Sequence, residues 1–368
     1  MQRTTSISVQ PGRRIRVLCV DDSAMFRRFL GEILEPLPDI EVAGFAADPY
    51  IARDRLHACD VDVLTLDLEM PRMAGLTFLR LLMEQKPMPV VVLSSTTRTG
   101  SQQAVEALYA GAAAVLGKPE SYGRRAAFAQ RLAHDIRMAA HGSPLRPRPA
   151  PPVALARSMP PAPSRSYHSR QIIAVGASTG GAPALERLLG SLPPSVPGMF
   201  IVQHIPERFC AALAKRLSDA GPIKVRVASE GDTVEPGQAL LAPGDRHLEV
   251  QRVGGQYRAH LTHGAPVEHQ RPSIDVLFRS LAATAGSHAL PILLSGMGCD
   301  GAAGMKQLFD LGAVTLVQDA ASSVVYGMAR EAVRLDAVST IVPLDHLGQH
   351  VLKALQQRQS THPHLIHA

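Results

Sequence analysis

Short apolar-rich runs recur along the chain with helical patterns between them, and their spacing predicts two halves of one architecture. In the first half, Ile15–Val20, Ile40–Phe45, Val61–Leu66, Pro89–Leu93 and Ala113–Leu116 have strand length and composition. Helical patterns separate them, and another follows near Ala126–Met138. Such βα alternation predicts a parallel sheet with helices on both faces. The second half repeats the theme, with strands near 172–176, 199–203, 223–228, 289–294 and 313–317. Residues 238–262 predict an antiparallel insert, with Gly254-Gly255 as its hairpin turn. The expected fold class is α/β: two doubly wound parallel-sheet domains, the second carrying a small antiparallel insert.

The pattern breaks between the halves. Residues Ser143 to Ser164 hold eight prolines. Proline lacks the amide donor that helices and sheet ladders need, and it favours an extended spacer. The predicted division is a first domain over 14–140, a Pro-rich and Arg-rich linker over 141–169 and a second domain over 170–357.

Charge changes the picture only through its location. The formal net charge is +6, and between Ile136 and Leu185 six arginines stand with no acidic residue. That linker region accounts for the whole excess, so no basic recognition face is expected on a folded domain and no nucleic-acid partner is predicted. No apolar run approaches a membrane span, and no apolar h-region precedes the first strand, so neither membrane insertion nor secretion is expected. Cys19, Cys59, Cys210 and Cys299 are scattered with no C-x-x-C pair, which predicts a cytoplasmic protein without a disulfide or zinc framework.

Candidate chemistry gathers at strand ends, where open parallel sheets place functional residues. Asp21-Asp22 end the first predicted strand, Asp67 the third and Ser94 the fourth, and Lys118 follows the fifth. Three converging carboxylates repel one another unless a cation sits among them, and Mg²⁺ prefers such oxygens. Lys118 can neutralise an incoming phosphoryl group, the Ser94 hydroxyl can hydrogen-bond it, and Asp67 can act as the nucleophile that becomes an aspartyl phosphate. Taken singly, each residue fits a helix cap or a solvated turn. Together, in order, they resemble the response-regulator receiver family over roughly Arg14 to Ala140. That resemblance implies a flavodoxin-like fold, Asp21 and Asp22 as the metal-binding pair with Asp67 the phosphoacceptor, and Ser94 and Lys118 as switch residues. It also implies a histidine kinase as phosphodonor. Ala74 departs from the family, which commonly has Asp there.

The second half opens with Ile172–Pro183, a strand, a glycine-rich turn around Ser178 and a helix. The pattern Gly176-x-Ser178-x-Gly180 fits a turn that exposes a serine oxygen beside a helix N-terminus. An ordinary glycine-rich loop explains the segment equally well on its own. A serine nucleophile needs a base held by a third group. His204 follows the strand ending at Gln203, and Asp300 lies in the turn Ser295–Gly301 after an apolar strand. All three then share one sheet edge. His247, His263 and His269 compete for the base, and Cys299 is a remote alternative nucleophile. No zinc-ligand spacing is present.

Gly176–Gly181, His204-x-Pro206, Arg271–Asp275, Gly296–Gly301 and Gln318–Met328 together resemble the catalytic domain of chemotaxis protein-glutamate methylesterases. With the receiver in front, the resemblance spans nearly the whole chain. It implies a Rossmann-like catalytic domain that needs no cofactor, with Ser178 as nucleophile, His204 as base and Asp300 as its orienting partner. It further implies the backbone N–H groups of Thr179 and Met297 as oxyanion donors, methyl-accepting chemoreceptors as substrate and deamidation of receptor glutamines as a second activity. Ile205 and Ala329 replace the methionine and proline usual in the family. Three rivals fit less well. A dinucleotide-binding domain predicts G-x-G-x-x-G and an acidic end to its second strand, where this chain has Gln203-His204. A receiver-controlled DNA-binding protein predicts a basic recognition helix after the linker. A generic α/β-hydrolase places its serine late in the sheet, whereas Ser178 follows the first strand of its half.

Overall fold

The computed structural model describes residues 13–95, 97–119, 125–141 and 170–357. The chain divides into two compact units, within 1–150 and 151–368. The proline-rich stretch 142–169 lies outside the described residues.

The first unit alternates strands β1 (Ile15–Val20), β2 (Ile40–Ala46), β3 (Val63–Asp67), β4 (Val90–Ser94) and β5 (Ala114–Gly117) with helices. The helices are α1 (Ala24–Leu34), α2 (Pro49–Ala58), α3 (Gly75–Gln85), α4 (Arg98–Tyr109) and α5 (Arg125–His141). The sheet order is β2-β1-β3-β4-β5 with every pairing parallel, so helices cover both faces as the alternation predicted. Val17, Cys19, Val91 and Leu93 bury one face of the sheet under Leu30, Leu34, Phe128, Leu132 and Ile136. Helix starts are set locally. Ser23 Oγ accepts the Phe26 N–H, and Asp48 Oδ1 accepts the Tyr50 and Ile51 N–H groups.

The second unit is built on β6 (Ile172–Ala177), β7 (Met199–Gln203), β8 (Lys224–Val227), β9 (Gln238–Leu241), β10 (His247–Val253), β11 (Gln256–Thr262), β12 (Ala289–Leu293), β13 (Leu316–Gln318) and β14 (Thr340–Val342). Its helices are α6 (Gly181–Gly190), α7 (Glu207–Asp219), α8 (Ile274–Thr284), α9 (Ala302–Asp310), α10 (Met328–Arg334) and α11 (Leu344–Gln357). Seven strands form a parallel sheet in the order β14-β13-β12-β6-β7-β9-β8. Phe200 on β7, Phe209 on α7 and Phe278 on α8 are fully buried, each worth about 1.5–3 kcal/mol.

The insert needs a correction. β10 and β11 form the expected antiparallel hairpin, turning at Gly254 and Gly255 with φ of 59° and 83°, which suits a two-residue turn. Gln238–Leu241, however, pairs parallel with both β7 and β8 and belongs to the main sheet. A four-residue apolar run carries no signal of strand direction, so pattern alone assigned it to the wrong sheet.

Candidate active site

Strand register sets the site. Ala177 pairs with Gln203, and Gly176 pairs with Val202 on one side and Leu293 on the other. The segments leaving β6, β7 and β12 therefore emerge at one level. Chain order also reverses here, with β7, β9 and β8 to one side of β6 and β12, β13 and β14 to the other. Open α/β sheets form their binding crevice at such a switch point.

Ser178 occupies the turn between β6 and α6. Gly180 holds φ at 74°, and a Cβ there would lie 2.3 Å from Val324 Cγ2, so both conformation and space require glycine. A Cβ on Gly296 would lie 2.8 Å from Ser178 Cβ, which shows how closely the two glycine-rich loops meet. Ser295 ties them together. Its carbonyl accepts the Ser178 N–H at 3.0 Å, and its hydroxyl donates to the Thr179 carbonyl at 2.7 Å. Among the described residues, neither the Thr179 nor the Met297 N–H donates a hydrogen bond.

His204 Nδ1 lies 3.1 Å from Ser178 Oγ, and Nε2 lies 2.8 Å from Asp300 Oδ2. Asp300 is buried, and its carboxylate accepts three further bonds: Ser273 Oγ at 2.7 Å, Ile274 N–H at 2.8 Å and Asp275 N–H at 2.9 Å. Those donors open α8, so the carboxylate sits at the positive end of that helix. Burial works against the charge, yet the bonds and attraction from His204, with Asp275 N–H and Ser273, hold the carboxyl below its usual range. An ionised Asp300 keeps the imidazole proton on Nε2 and leaves Nδ1 as an acceptor facing the serine hydroxyl.

Two of the rival groups, His247 and Cys299, are engaged elsewhere, and His263 and His269 are exposed. His247 is buried, with Nδ1 accepting the Ser273 N–H at 3.2 Å and Nε2 donating to the Ala265 carbonyl at 2.9 Å. Both ring nitrogens support the segment behind Asp300. The Cys299 thiol lies 3.1 Å from Glu268 Oε2, and burial together with that carboxylate pushes it up to about 12, so it stays a thiol. Ser273 and the amides of Ile274 and Asp275 are functional groups that sequence reasoning left without a role. A serine immediately before an apolar helical run, within the Arg271–Asp275 motif, was the visible signal for them.

The first unit holds the acidic pocket. Single oxygens of Asp21, Asp22 and Asp67 lie within 4.8 Å of one another, with Asp21 and Asp67 buried and Asp22 exposed. Lys118 Nζ is 2.7 Å from Asp21 Oδ2 and 2.7 Å from Asp67 Oδ2. Burial pushes the Asp67 carboxyl above its ordinary value despite Lys118. Burial acts to lower Lys118, but the two carboxylates prevail and hold it above its ordinary value. Three carboxylates in a half-open pocket fit a hard divalent cation. Ser94 ends β4 next to Asp67, but its hydroxyl donates to the Gly100 carbonyl in α4 at 2.9 Å.

Residues 17–127 match the response regulator receiver domain, and residues 173–351 match the CheB methylesterase family. A protein-glutamate methylesterase/protein-glutamine glutaminase of Pectobacterium atrosepticum is 45% identical over 350 residues, covering 94% of this chain and 99% of its own. One from Anaeromyxobacter dehalogenans is 45% identical over 352 residues, covering 93% and 97%. The methylesterase catalytic domain of Thermotoga maritima CheB is 28% identical with a TM-score of 0.49, covering 51% of this chain and 98% of that one. With both domains matched in order and identity sustained from end to end, the chain belongs to the receiver-linked family of protein-glutamate methylesterases/protein-glutamine glutaminases.

Proposed function

We propose that the enzyme hydrolyses glutamyl γ-methyl esters on methyl-accepting chemoreceptors through Ser178, His204 and Asp300. The unbroken hydrogen-bond chain between these three residues, at the switch point of the sheet, is the observation that carries this reading. Ser178 Oγ attacks the ester carbonyl and passes its proton to His204 Nδ1. The developing oxyanion is held by the N–H groups of Thr179 and Met297. The tetrahedral intermediate expels methanol, which takes the proton back from His204. Water then attacks the acyl-enzyme with His204 as general base, releasing glutamate and free Ser178. A glutamine side chain follows the same route with ammonia as leaving group. The catalytic half, taken as 170–357, needs no cofactor for these steps.

The receiver, taken as 14–140 and joined by the 141–169 linker, controls this activity. A histidine kinase supplies the phosphoryl group to Asp67. Asp21, Asp22 and Asp67 would hold Mg²⁺, which neutralises charge during the transfer. Phosphorylated Asp67 then recruits the Ser94 hydroxyl and the Lys118 ammonium. Among the described residues no helix is long and apolar enough to cross a membrane. We place the enzyme in the cytoplasm, acting on receptors from that side, without membrane insertion and without nucleic acid.

Methanol release from methylated receptor membranes tests the mechanism. Ser178→Ala and His204→Ala should each lose about 10⁴-fold or more in kcat, and the double variant should be scarcely worse than either. A Ser178→Ala enzyme keeping more than about a tenth of wild-type turnover would remove the serine from the mechanism.

A further inference from the structure

Two peptide groups carry the proposed oxyanion donors, and each is held from behind by its carbonyl. The peptide bearing the Met297 N–H has the Gly296 carbonyl, which accepts the Gly327 N–H at 3.0 Å and the Met328 N–H at 2.9 Å. That clamp is all backbone. The peptide bearing the Thr179 N–H has the Ser178 carbonyl. It accepts the Gly181 N–H at 2.8 Å and, at 2.9 Å, the side-chain amide of Gln203. In a trans peptide the C=O and N–H point in opposite directions, so fixing one aims the other.

Gln203 is built for this contact at a cost. It is 3% exposed, and its Oε1 is buried without a hydrogen-bond partner. An orphaned buried acceptor destabilises the fold, a cost that an apolar residue at the end of β7 would avoid. Gly181 makes room for it, since a Cβ there would lie 2.5 Å from that oxygen. Only the amide NH₂ of Gln203 is in use. It reaches the Ser178 carbonyl at 2.9 Å and the His204 carbonyl at a marginal 3.4 Å.

We propose that Gln203 is a positioning residue of the esterase, aiming the Thr179 N–H at the oxyanion by anchoring the carbonyl of Ser178. This rests on Ser178 as nucleophile and Thr179 as oxyanion donor. Gln203 touches no reacting atom. It acts when charge develops on the substrate carbonyl, so its removal should lower kcat and leave ground-state binding alone.

The test uses the full chain with Gln203→Met, which keeps length without a donor, and Gln203→Glu, which keeps shape and sets a carboxylate against the Ser178 carbonyl. Methanol release from methylated receptor membranes gives kcat and KM, normalised to the serine labelled by a fluorophosphonate. Gln203→Glu supplies the same comparison if Gln203→Met yields little folded protein. A lost oxyanion donor costs about 10²–10³-fold, and a mis-aimed one less, so Gln203→Met should lose about 10- to 100-fold in kcat. KM should stay within about twofold, and the shape of the pH–rate profile should not move. An unchanged kcat per labelled serine, or a loss confined to KM, would overturn the proposal. A shifted pH profile would also overturn it, because Gln203 would then act through His204. Ser178→Ala run in parallel separates the two levels. If it stays active, the nucleophile itself is wrong, whereas a dead Ser178→Ala beside a normal Gln203→Met removes only the positioning role.

Discussion

Asp300→Asn is the most informative single substitution, because the structure fixes what an amide would face. The two carboxylate oxygens together receive four donors. Oδ1 takes the Ser273 hydroxyl and the Asp275 N–H, while Oδ2 takes the Ile274 N–H and His204 Nε2. The two backbone N–H groups cannot change role, but the serine hydroxyl and the imidazole can. An asparagine NH₂ at the Oδ2 position opposes the Ile274 N–H and forces His204 to accept at Nε2. The imidazole proton then moves to Nδ1 and faces Ser178 Oγ, so the base cannot take the serine proton. With the amide turned the other way, its NH₂ opposes the Asp275 N–H, and Ser273 can adapt by accepting. Either orientation leaves one fixed donor unpaired, a stability loss of about 1–3 kcal/mol. Molecules in the first orientation are inactive, so kcat should fall by about 10²–10⁴-fold.

Acidification supplies the second readout on the same variant. The Asp300 carboxyl is held below its ordinary value in the folded state, with burial opposing and His204 and the α8 donors prevailing. The unfolded chain therefore binds the proton more readily. Stability from Asp300 is full above the unfolded value near 3.9 and is lost as pH falls through it toward the depressed folded value. The amide introduced by Asp300→Asn does not titrate. The stability advantage of wild type over Asp300→Asn in urea unfolding should hold at neutral pH and shrink as pH drops below about 4. Methanol release at more than about a tenth of the wild-type rate, or an advantage that grows on acidification, would refute the donor count on which both readouts rest.

The competing histidines should separate cleanly. His247→Ala leaves the Ser273 N–H without its acceptor, so urea unfolding should show a loss of about 1–3 kcal/mol, while methanol release stays above about a tenth of wild type. The reverse pattern, with His204→Ala active and His247→Ala dead, would move the base. In the receiver, a small phosphodonor with Mg²⁺ should raise methanol release by the wild-type enzyme. Asp67→Ala, or chelation of the cation, should hold it at the basal rate, and a donor response in Asp67→Ala would place the phosphoacceptor elsewhere.

What was legible in the sequence is what side-chain chemistry and apolar runs can carry. Asp67, Ser94, Ser178 and His204 each end or follow an apolar run, so their place at a sheet edge followed from pattern alone. β14 was missed because three residues, Thr340–Val342, are too few to show a period. The rotation of Ser94 toward Gly100 was equally hidden, since a hydroxyl's direction depends on its surroundings and not on its residue type. Most of the groups that orient the site are hidden for a deeper reason. Ile274 and Asp275 serve Asp300 through backbone amides that any residue other than proline would supply. Gln203 is an ordinary polar residue until strand register gives it a target. Its amide reaches the Ser178 carbonyl because Ala177 pairs with Gln203 and not with a neighbour. Side chains alternate across a strand, so a slip of one residue would put Val202 or His204 at that height and turn the amide to the other face. Glycines at 176, 180 and 181 permit the close packing around this contact. A Cβ on each would lie within 2.5 Å of Ile274, Val324 and Gln203 respectively, so a larger residue at any of them would push a neighbour out of place. The chemistry of this site is thus written in residue types, and its aim is written in the spacing of strands.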